Sequence, residues 1–344
     1  MEAQGVRFCT SADGTQLGYS TFGSGKPLVI IPSWWMSPEA DRRRLIGRDF
    51  WNDLPPGRRV ITHDLRGIGV SSREVNDVSL DRQVDDLLAL ADDLRLSSFD
   101  LWCFSDQCAT GIAFAARHPG RVDRLILYNP WAFVPRTIAR EHIAVWSAFI
   151  RADWGLATRC FAELLYPKGP LDAQEASTKA IRETQSPDVA LLYLEAENTS
   201  DVRPELGQVP VPTVVISREG PGRTPLIPAD TVSRVAAGIP GARLVVYDAA
   251  AAVCPYFEYQ AYQGVIREFL ADAAKEMPLH PTLSDREVEV LRLVAQGKTN
   301  AQIADLLVIS KNTADRHVSN ILTKTGSANR AEAVLYAARH ALVG

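Results

Sequence analysis

The segment from Leu283 to Lys324 reads LSDREVEVLRLVAQGKTNAQIADLLVISKNTADRHVSNILTK, and its start, stop and periodicity signals describe three short helices. Ser284 and Glu287 have the spacing of a capping box, with Leu283 placed to staple onto Val288. Gly297 closes that helix. Asn300 is placed to cap a second helix that buries Ile303, Ala304 and Leu307, and Val308-Ile309-Ser310 turns into a third helix capped by Ser310. On the third helix Ala314, Val318 and Ile321 form an inward stripe, while Thr313, Arg316, His317, Asn320 and Lys324 share the opposite face. A solvated face of a small helical bundle has the same spacing. The concentration of donors suits a major groove, where Arg and Asn read base edges and Lys, His and Thr hold phosphates. A fourth helix is expected from the box Asn329-Arg330-Ala331-Glu332, and its small-residue stripe could pair two copies.

This stretch resembles the LuxR-type helix-turn-helix family almost without gaps: the start LSDREVEVL, the scaffold helix Ile303-Ala304 to Leu307, and the spacing Ser310, Thr313, His317, Ile321, Lys324. The resemblance implies binding of duplex DNA as a homodimer, with phosphate contacts at Thr313, His317 and Lys324 and base contacts at Asp315, Arg316 and Ser319. Lys311 and Asn312, at the head of the same helix, join the expected DNA-binding set, as does Asn320 from its place on the outward face. Ala314 stands where the family usually has Val, and Asp315 sits at a position that is often basic, so the operator is expected to differ or to bind weakly.

Outward from this module, 344 residues exceed the size at which a single core stops growing, so a large domain is expected before the small one. The assigned boundaries are 1–271 for the large domain, 272–282 for a proline-containing linker, and 283–344 for the small domain. The chain carries a net charge of −4, yet from Pro281 onward eight Lys/Arg stand against six Asp/Glu, so nucleic-acid contact would come from a local patch. The start has no basic segment followed by an apolar one, and no run approaches a membrane span, which points to the cytoplasm. Five cysteines without paired spacing read as free thiols. No metal-ligand spacing is present, and neither a cofactor nor a metal is expected.

Before residue 272, apolar β-rich runs alternate with helical stretches, the pattern of a mainly parallel sheet covered by helices. The expected strands are Val6–Thr10, Gln16–Thr21, Pro27–Ile31, Arg59–His63, Phe99–Phe104, Asp123–Tyr128, Thr213–Ser217 and Arg243–Tyr247. Residues from about 135 to 210 read as an inserted helical cap.

PLVIIPSWW, THDLRGIGVSS and LWCFSDQCATGIAFAARHPGRV resemble, in that order, the oxyanion-loop strand, the following strand and turn, and the nucleophile segment of the α/β-hydrolase fold. The resemblance spans nearly all of residues 5–271 and implies an α/β-hydrolase fold with a helical cap, followed by the small all-α domain. That fold sets a Ser on a GxSxG turn, with an acid and then a His later in the chain. Here the turn reads Cys103-Phe104-Ser105-Asp106-Gln107, so the Ser is kept and both glycines are replaced, which sets the tight-turn geometry in question. Val253 occupies the histidine slot, no Asp lies between Ser217 and Thr224, where Glu219 is the nearest carboxylate, and Pro32-Ser33 replaces the His-Gly of the oxyanion loop. Serine without an adjacent base is a poor nucleophile, so a pseudo-hydrolase without catalytic residues is expected. His142 in the cap is the one histidine placed to substitute.

The pocket between sheet and cap is expected to be mostly apolar and lined by Trp34, Phe104, Ser105, Asp106, Trp131, Trp146 and Val253, with Trp35, Trp154 and Tyr256 as further candidates. Core packing of the tryptophans competes with this reading. The leading expectation is therefore a ligand-responsive transcription regulator whose large domain senses a small, largely apolar molecule. Three alternatives remain: a serine hydrolase fused to a DNA-binding domain, a redox sensor built on Cys103, Cys108 and Cys254, and a large domain that only dimerises or binds a partner protein.

Overall fold

A computed structural model describes residues 4–43, 48–165, 171–219, 230–248, 259–271, 285–307, 309–325, 329–330 and 332–334. The chain divides into two units, 1–275 and 276–344.

In the first unit the elements run β1 (Gln4–Thr10), β2 (Gln16–Gly23), β3 (Lys26–Ile31), α1 (Pro38–Arg43), α2 (Arg48–Asn52), β4 (Arg58–His63), α3 (Leu80–Asp93), β5 (Phe99–Phe104), α4 (Cys108–Arg117) and β6 (Val122–Tyr128). The inserted helices follow: α5 (Arg136–Ala152), α6 (Trp154–Leu165), α7 (Leu171–Thr184), α8 (Pro187–Thr199) and α9 (Arg203–Leu206). The sheet then resumes with β7 (Thr213–Glu219), α10 (Thr231–Gly238), β8 (Arg243–Asp248) and α11 (Tyr259–Ala271). All eight expected strands form, with ends that differ by at most two residues.

The strands make one sheet in the order β1-β2-β4-β3-β5-β6-β7-β8. β1, β2 and β4 pair antiparallel, whereas β4 and β3 and every pair onward to β8 are parallel. β5 is buried at all six positions, as a central strand covered on both faces must be. Because side chains alternate, one face carries Leu101, Cys103, Leu125, Leu127 and Val215 against α3, α4 and α10. The other carries Trp102, Phe104, Ile126, Tyr128 and Ile216 against α2 and α11. Buried charges are paired: Asp100, wholly enclosed, meets Arg58 and lies 3.0 Å from Lys26 Nζ, while Arg66 grips both oxygens of Asp86 at 2.7 and 2.6 Å.

The second unit holds α12 (Asp285–Ala295), α13 (Asn300–Leu307) and α14 (Lys311–Thr325) around Val290, Leu291, Val294, Ile303, Ala304, Ala314 and Ile321. Gly297 takes a φ of +79° and ends α12 with Lys298 N–H on Leu293 O and Gly297 N–H on Val294 O, the paired bonds of a Schellman turn. Ser310 caps α14 as expected, accepting from Thr313 N–H at 3.1 Å. The cap of α13 differs from the expectation. Thr299 is the capping residue: its Oγ1 accepts from Gln302 N–H at 3.3 Å, and Gln302 Oε1 accepts from Thr299 N–H at 2.9 Å. Asn300 is engaged elsewhere. Its Nδ2 donates to Asp315 Oδ1 at 2.7 Å and its Oδ1 accepts from Arg330 at 2.9 Å, tying α13 to α14. The Asn329–Glu332 box also forms, with Glu332 N–H on Asn329 Oδ1 at 3.0 Å. Ser284 and the 272–282 linker lie outside the described residues.

Candidate ligand cleft and nucleic-acid interface

The turn after β5 keeps its sharp geometry without either glycine. Phe104 ends the strand with an extended backbone, Ser105 takes a φ of +49°, and a single 3₁₀ turn over Ser105–Gln107 leads into α4. A left-handed serine is strained by about 1–2 kcal/mol, so packing must hold it. Cys103 fits where the family has glycine because α4 presents Gly111 there: a Cβ at Gly111 would lie 2.4 Å from Cys103 Sγ. Cys108 Sγ donates to Cys103 O at 3.3 Å and closes the turn from below. Gln107, at the second replaced glycine, swings its Nε2 onto Asp106 Oδ2 at 2.7 Å.

Asp106 dominates the electrostatics of this turn. Its Oδ1 accepts from Ser33 Oγ in the loop after β3, and the backbone N–H groups of Trp34 and of Asp106 itself favour the ionised carboxylate. Those two N–H positions, one in the oxyanion loop and one just past the serine, are the places where hydrolases of this fold carry their oxyanion donors. Burial raises the Asp106 pKa, and the hydrogen bonds from Ser33, Gln107 and the backbone oppose the shift. Glu197 of α8 is shifted in the same direction, by burial first and then by the Asp106 charge, against the hydrogen bond that Trp34 Nε1 gives its Oε2 at 2.6 Å.

Two cavities replace the single apolar pocket that was expected. One is polar, a narrow cleft with about 10 Å³ of enclosed space, room for a single water, and includes Gln83, Asp106, Gln107, Trp131, Tyr193 and Glu197 in its lining. The other, with about 20 Å³ of enclosed space, is apolar and includes Trp34, Trp146, Trp154, Phe161 and Leu194. Trp34 stacks on Tyr193 at 6.1 Å and packs on Phe161 at 5.4 Å, and so stands between the two. Asp106, Trp131, Trp34, Trp146 and Trp154 thus line cavities, but different ones. Phe104 lines neither: strand alternation turns it to the opposite face, where it packs on Trp102 and Tyr128. Ser105 is 7 % exposed and lines neither, and Trp35 packs against core side chains. Val253 and Tyr256 lie outside the described residues, as do 220–224 of the acid segment. Glu197 was not anticipated from the sequence. The available signal was its position on α8, one turn from the buried Tyr193 and two from the buried Ala190, which sets a carboxylate on an inward stripe.

Ser105 Oγ has no hydrogen-bond partner among the described residues, and no described histidine reaches it. His142 is bound instead to Asn198, Nδ1 to Oδ1 at 3.2 Å, and packs edge-on against Trp146. Cys103 and Cys108 are enclosed, and burial pushes both thiols up, away from the reactive thiolate. No group of three or more metal-ligating side chains occurs among the described residues.

On α14, Lys311, Asn312, Thr313, Arg316, Ser319 and Asn320 are exposed, and His317 is half-buried. Ala314 and Ile321 are buried and Val318 packs beside them, so the expected inward stripe forms. Asp315 is exposed, yet its carboxylate is held by Asn300. Lys324 lies on α14, with its side chain outside the described set.

The family model for the alpha/beta hydrolase fold matches residues 26–255, and the model for bacterial regulatory proteins of the luxR family matches residues 281–337. The chain therefore belongs to the alpha/beta hydrolase fold family and carries a LuxR-type helix-turn-helix DNA-binding domain behind it. In that second region it is 44% identical over 64 residues to the transcriptional regulatory protein LiaR of Bacillus subtilis (strain 168), covering 19% of this chain and 30% of that protein. It is 42% identical over 69 residues to the response regulator protein VraR of Staphylococcus aureus (strain NCTC 8325 / PS 47), covering 20% and 33%. The chain thus spans about a third of the length of these curated relatives. The first region superposes on a hydrolase from Pseudomonas aeruginosa PA01 with a TM-score of 0.63 at 24% identity, covering 78% of this chain and 99% of that one. It also superposes on the enol-lactonase from Burkholderia xenovorans LB400 with a TM-score of 0.64 at 22% identity, covering 77% and 100%. At these identities the likeness establishes the fold. No helix among the described residues is long and apolar enough to cross a membrane.

Proposed function

We propose that this chain is a ligand-responsive transcription regulator: the LuxR-type domain binds duplex DNA as a homodimer, and the hydrolase-fold domain binds a small molecule without hydrolysing it. The observation that carries this reading is the Asp106 carboxylate, buried on the residue just past the serine and bound by Ser33 of the oxyanion loop. Removing one oxyanion donor from a hydrolase costs about 10²–10³ in rate, and a carboxylate set beside that region would oppose the negative charge that an oxyanion develops. The sequence adds Val253 at the histidine slot. A bound molecule alters operator affinity only by binding the DNA-competent and incompetent states unequally.

A second reading, residual serine hydrolysis, is favoured by the left-handed Ser105 that the turn retains. One comparison separates the two. The full chain and Ser105→Ala are assayed on p-nitrophenyl acetate, with operator binding followed in parallel by fluorescence anisotropy on a selected duplex. The regulator reading expects no turnover above buffer in either chain, and a loss of operator affinity of about 5- to 150-fold in Arg316→Ala, from the loss of about 1–3 kcal/mol of base contact. Ester turnover that Ser105→Ala abolishes would overturn the non-catalytic reading, and unchanged DNA affinity in Arg316→Ala would overturn the assigned reading face.

A further inference from the structure

We propose that two copies of this chain pair through the outer face of cap helix α5, packed antiparallel so that Glu141 of each copy meets Arg151 of the other. This rests on the homodimer of the regulator reading, for which it names a surface.

The two sides of α5 differ less than a surface helix requires. On the inner side Ala139 and Ile150 are buried, and Ile143, Trp146 and Phe149 pack against the core of the unit. The outer side of such a helix ordinarily carries charged and polar side chains. Here its middle carries Ala144, Val145 and Ala148, all exposed, with Val145 at 67 %. Helix α6, which packs beside α5, leaves Leu156 and Leu164 exposed as well. Apolar groups gathered on adjoining surface helices mark a face that another chain covers.

The charges beside this apolar centre identify the occupant. Glu141 stands about one turn before it and Arg151 about one turn after it. Both are exposed, and neither side chain has an ion-pair partner among the described residues. Their placement is symmetric: positions 141 and 151 lie equally far from 146, about 15 Å apart along the axis, and 144 and 148 share the same midpoint. A two-fold axis at that level sets 144 against 148 and 141 against 151, each twice. A parallel copy would instead oppose Glu141 to Glu141 and Arg151 to Arg151. The other levels of the antiparallel register, Val145 with Ser147 and Arg140 with Ala152, bring no like charges together. Alanines at the centre let the two axes approach to about 8 Å, a separation that Glu and Arg side chains bridge. A contact confined to one helix pair is smaller than the roughly 800 Å² per partner of a standard interface, so association is expected to be weak, in the micromolar range.

Sedimentation equilibrium on the full chain, without DNA, reads the dimer constant. Glu141→Arg and Arg151→Glu each turn both pairs of the dimer into like charges, and each is expected to weaken association at least tenfold. The chain carrying both changes regains opposite charges and is expected to associate within about twofold of the native chain. Mixing the two single variants sets two arginines against two glutamates, so they should form a heterodimer although neither pairs with itself. That rescue also shows both variants to be folded. A native chain that stays monomeric at micromolar concentrations, single variants that associate as the native chain does, or an exchange that restores nothing would overturn the proposal. Anisotropy on a selected duplex separates this from the regulator reading. Pairing through α5 without operator affinity keeps the face and ends that reading, and operator binding by a chain that does not pair through α5 does the reverse.

Discussion

Gly111 allows the packing of the serine turn to be measured directly. The perturbation is Gly111→Ala, made once in the native chain and once in Cys103→Ala. In the native chain the new Cβ would lie 2.4 Å from Cys103 Sγ and 3.4 Å from Leu125 Cδ1. Cys103 and Leu125 are fully buried, and Sγ is one bond from its Cβ, so no flexible end can swing aside. Overpacking of this kind costs about 1–3 kcal/mol, while alanine in place of glycine within a helix returns about 1 kcal/mol, so a net loss of up to about 2 kcal/mol is expected. In Cys103→Ala the nearest remaining atom of that residue is its Cβ at 3.5 Å, an ordinary contact, and Gly111→Ala should then stabilise the unit by up to about 1 kcal/mol. The sign of one substitution is therefore set by the other. All seven tryptophans lie between Trp34 and Trp154, so urea unfolding followed by tryptophan fluorescence reports on the hydrolase-fold unit alone. The same effect of Gly111→Ala in both backgrounds would refute the claim that the Cys103–Gly111 contact is what accommodates the missing glycine.

Two further outcomes follow from buried or capped groups. His63 is enclosed, its Nδ1 has no partner among the described residues, and burial lowers its pKa from 6.5 to about 4. The folded value lies below the unfolded one, so its contribution is complete above about pH 6.5 and is lost as pH falls toward 4, by about 3 kcal/mol. Asp64 and Glu39 share its surroundings, and Asp64, raised to about 6 by burial, acts in the opposite direction, so His63→Gln is needed to isolate the histidine. The stability difference between the two chains should narrow by about 3 kcal/mol between pH 7 and pH 4, and a pH-independent difference would refute the assignment. In the small unit, Thr299→Ala should speed hydrogen exchange at the Gln302 amide about fivefold, the equivalent of about 1 kcal/mol of lost capping. No change in that amide would return the cap to Asn300.

The sheet was legible because its central strands are almost uninterrupted apolar runs, as in Phe99–Phe104, and the small domain because Gly297, Ser310 and the Ala314–Ile321 stripe each have one structural use. What misled was proximity in sequence. Phe104 precedes the serine directly, and alternation along β5 still sends it to the far side of the sheet. Thr299 and Asn300 are both good capping residues, and the deciding signal is Gln302, three positions after Thr299. Asp315 looked anomalous on a DNA-reading face, but its carboxylate receives the Asn300 amide, a partner fifteen residues away that helix periodicity does not predict. Glu197 was passed over because a single acid in a helical cap has no motif. Its meaning depends on Asp106, brought close only by the fold.

The geometry of the serine turn and the capacity for catalysis rest on different atoms, which is why the first can persist under a reading without the second. The left-handed Ser105 is held from beneath, by Cys103 against Gly111 and by the Cys108 hydrogen bond, and none of these groups would touch a substrate. Acyl transfer depends on what lies above the turn, where a negative oxygen must develop beside free N–H donors. A carboxylate on the residue after the serine would place negative charge beside the region where the transition state would place its own. Glu197, from helix α8, adds a second acid to the cleft beside that turn. On this reading one substitution at the turn makes the site less suited to developing negative charge, without altering the sheet or the elbow.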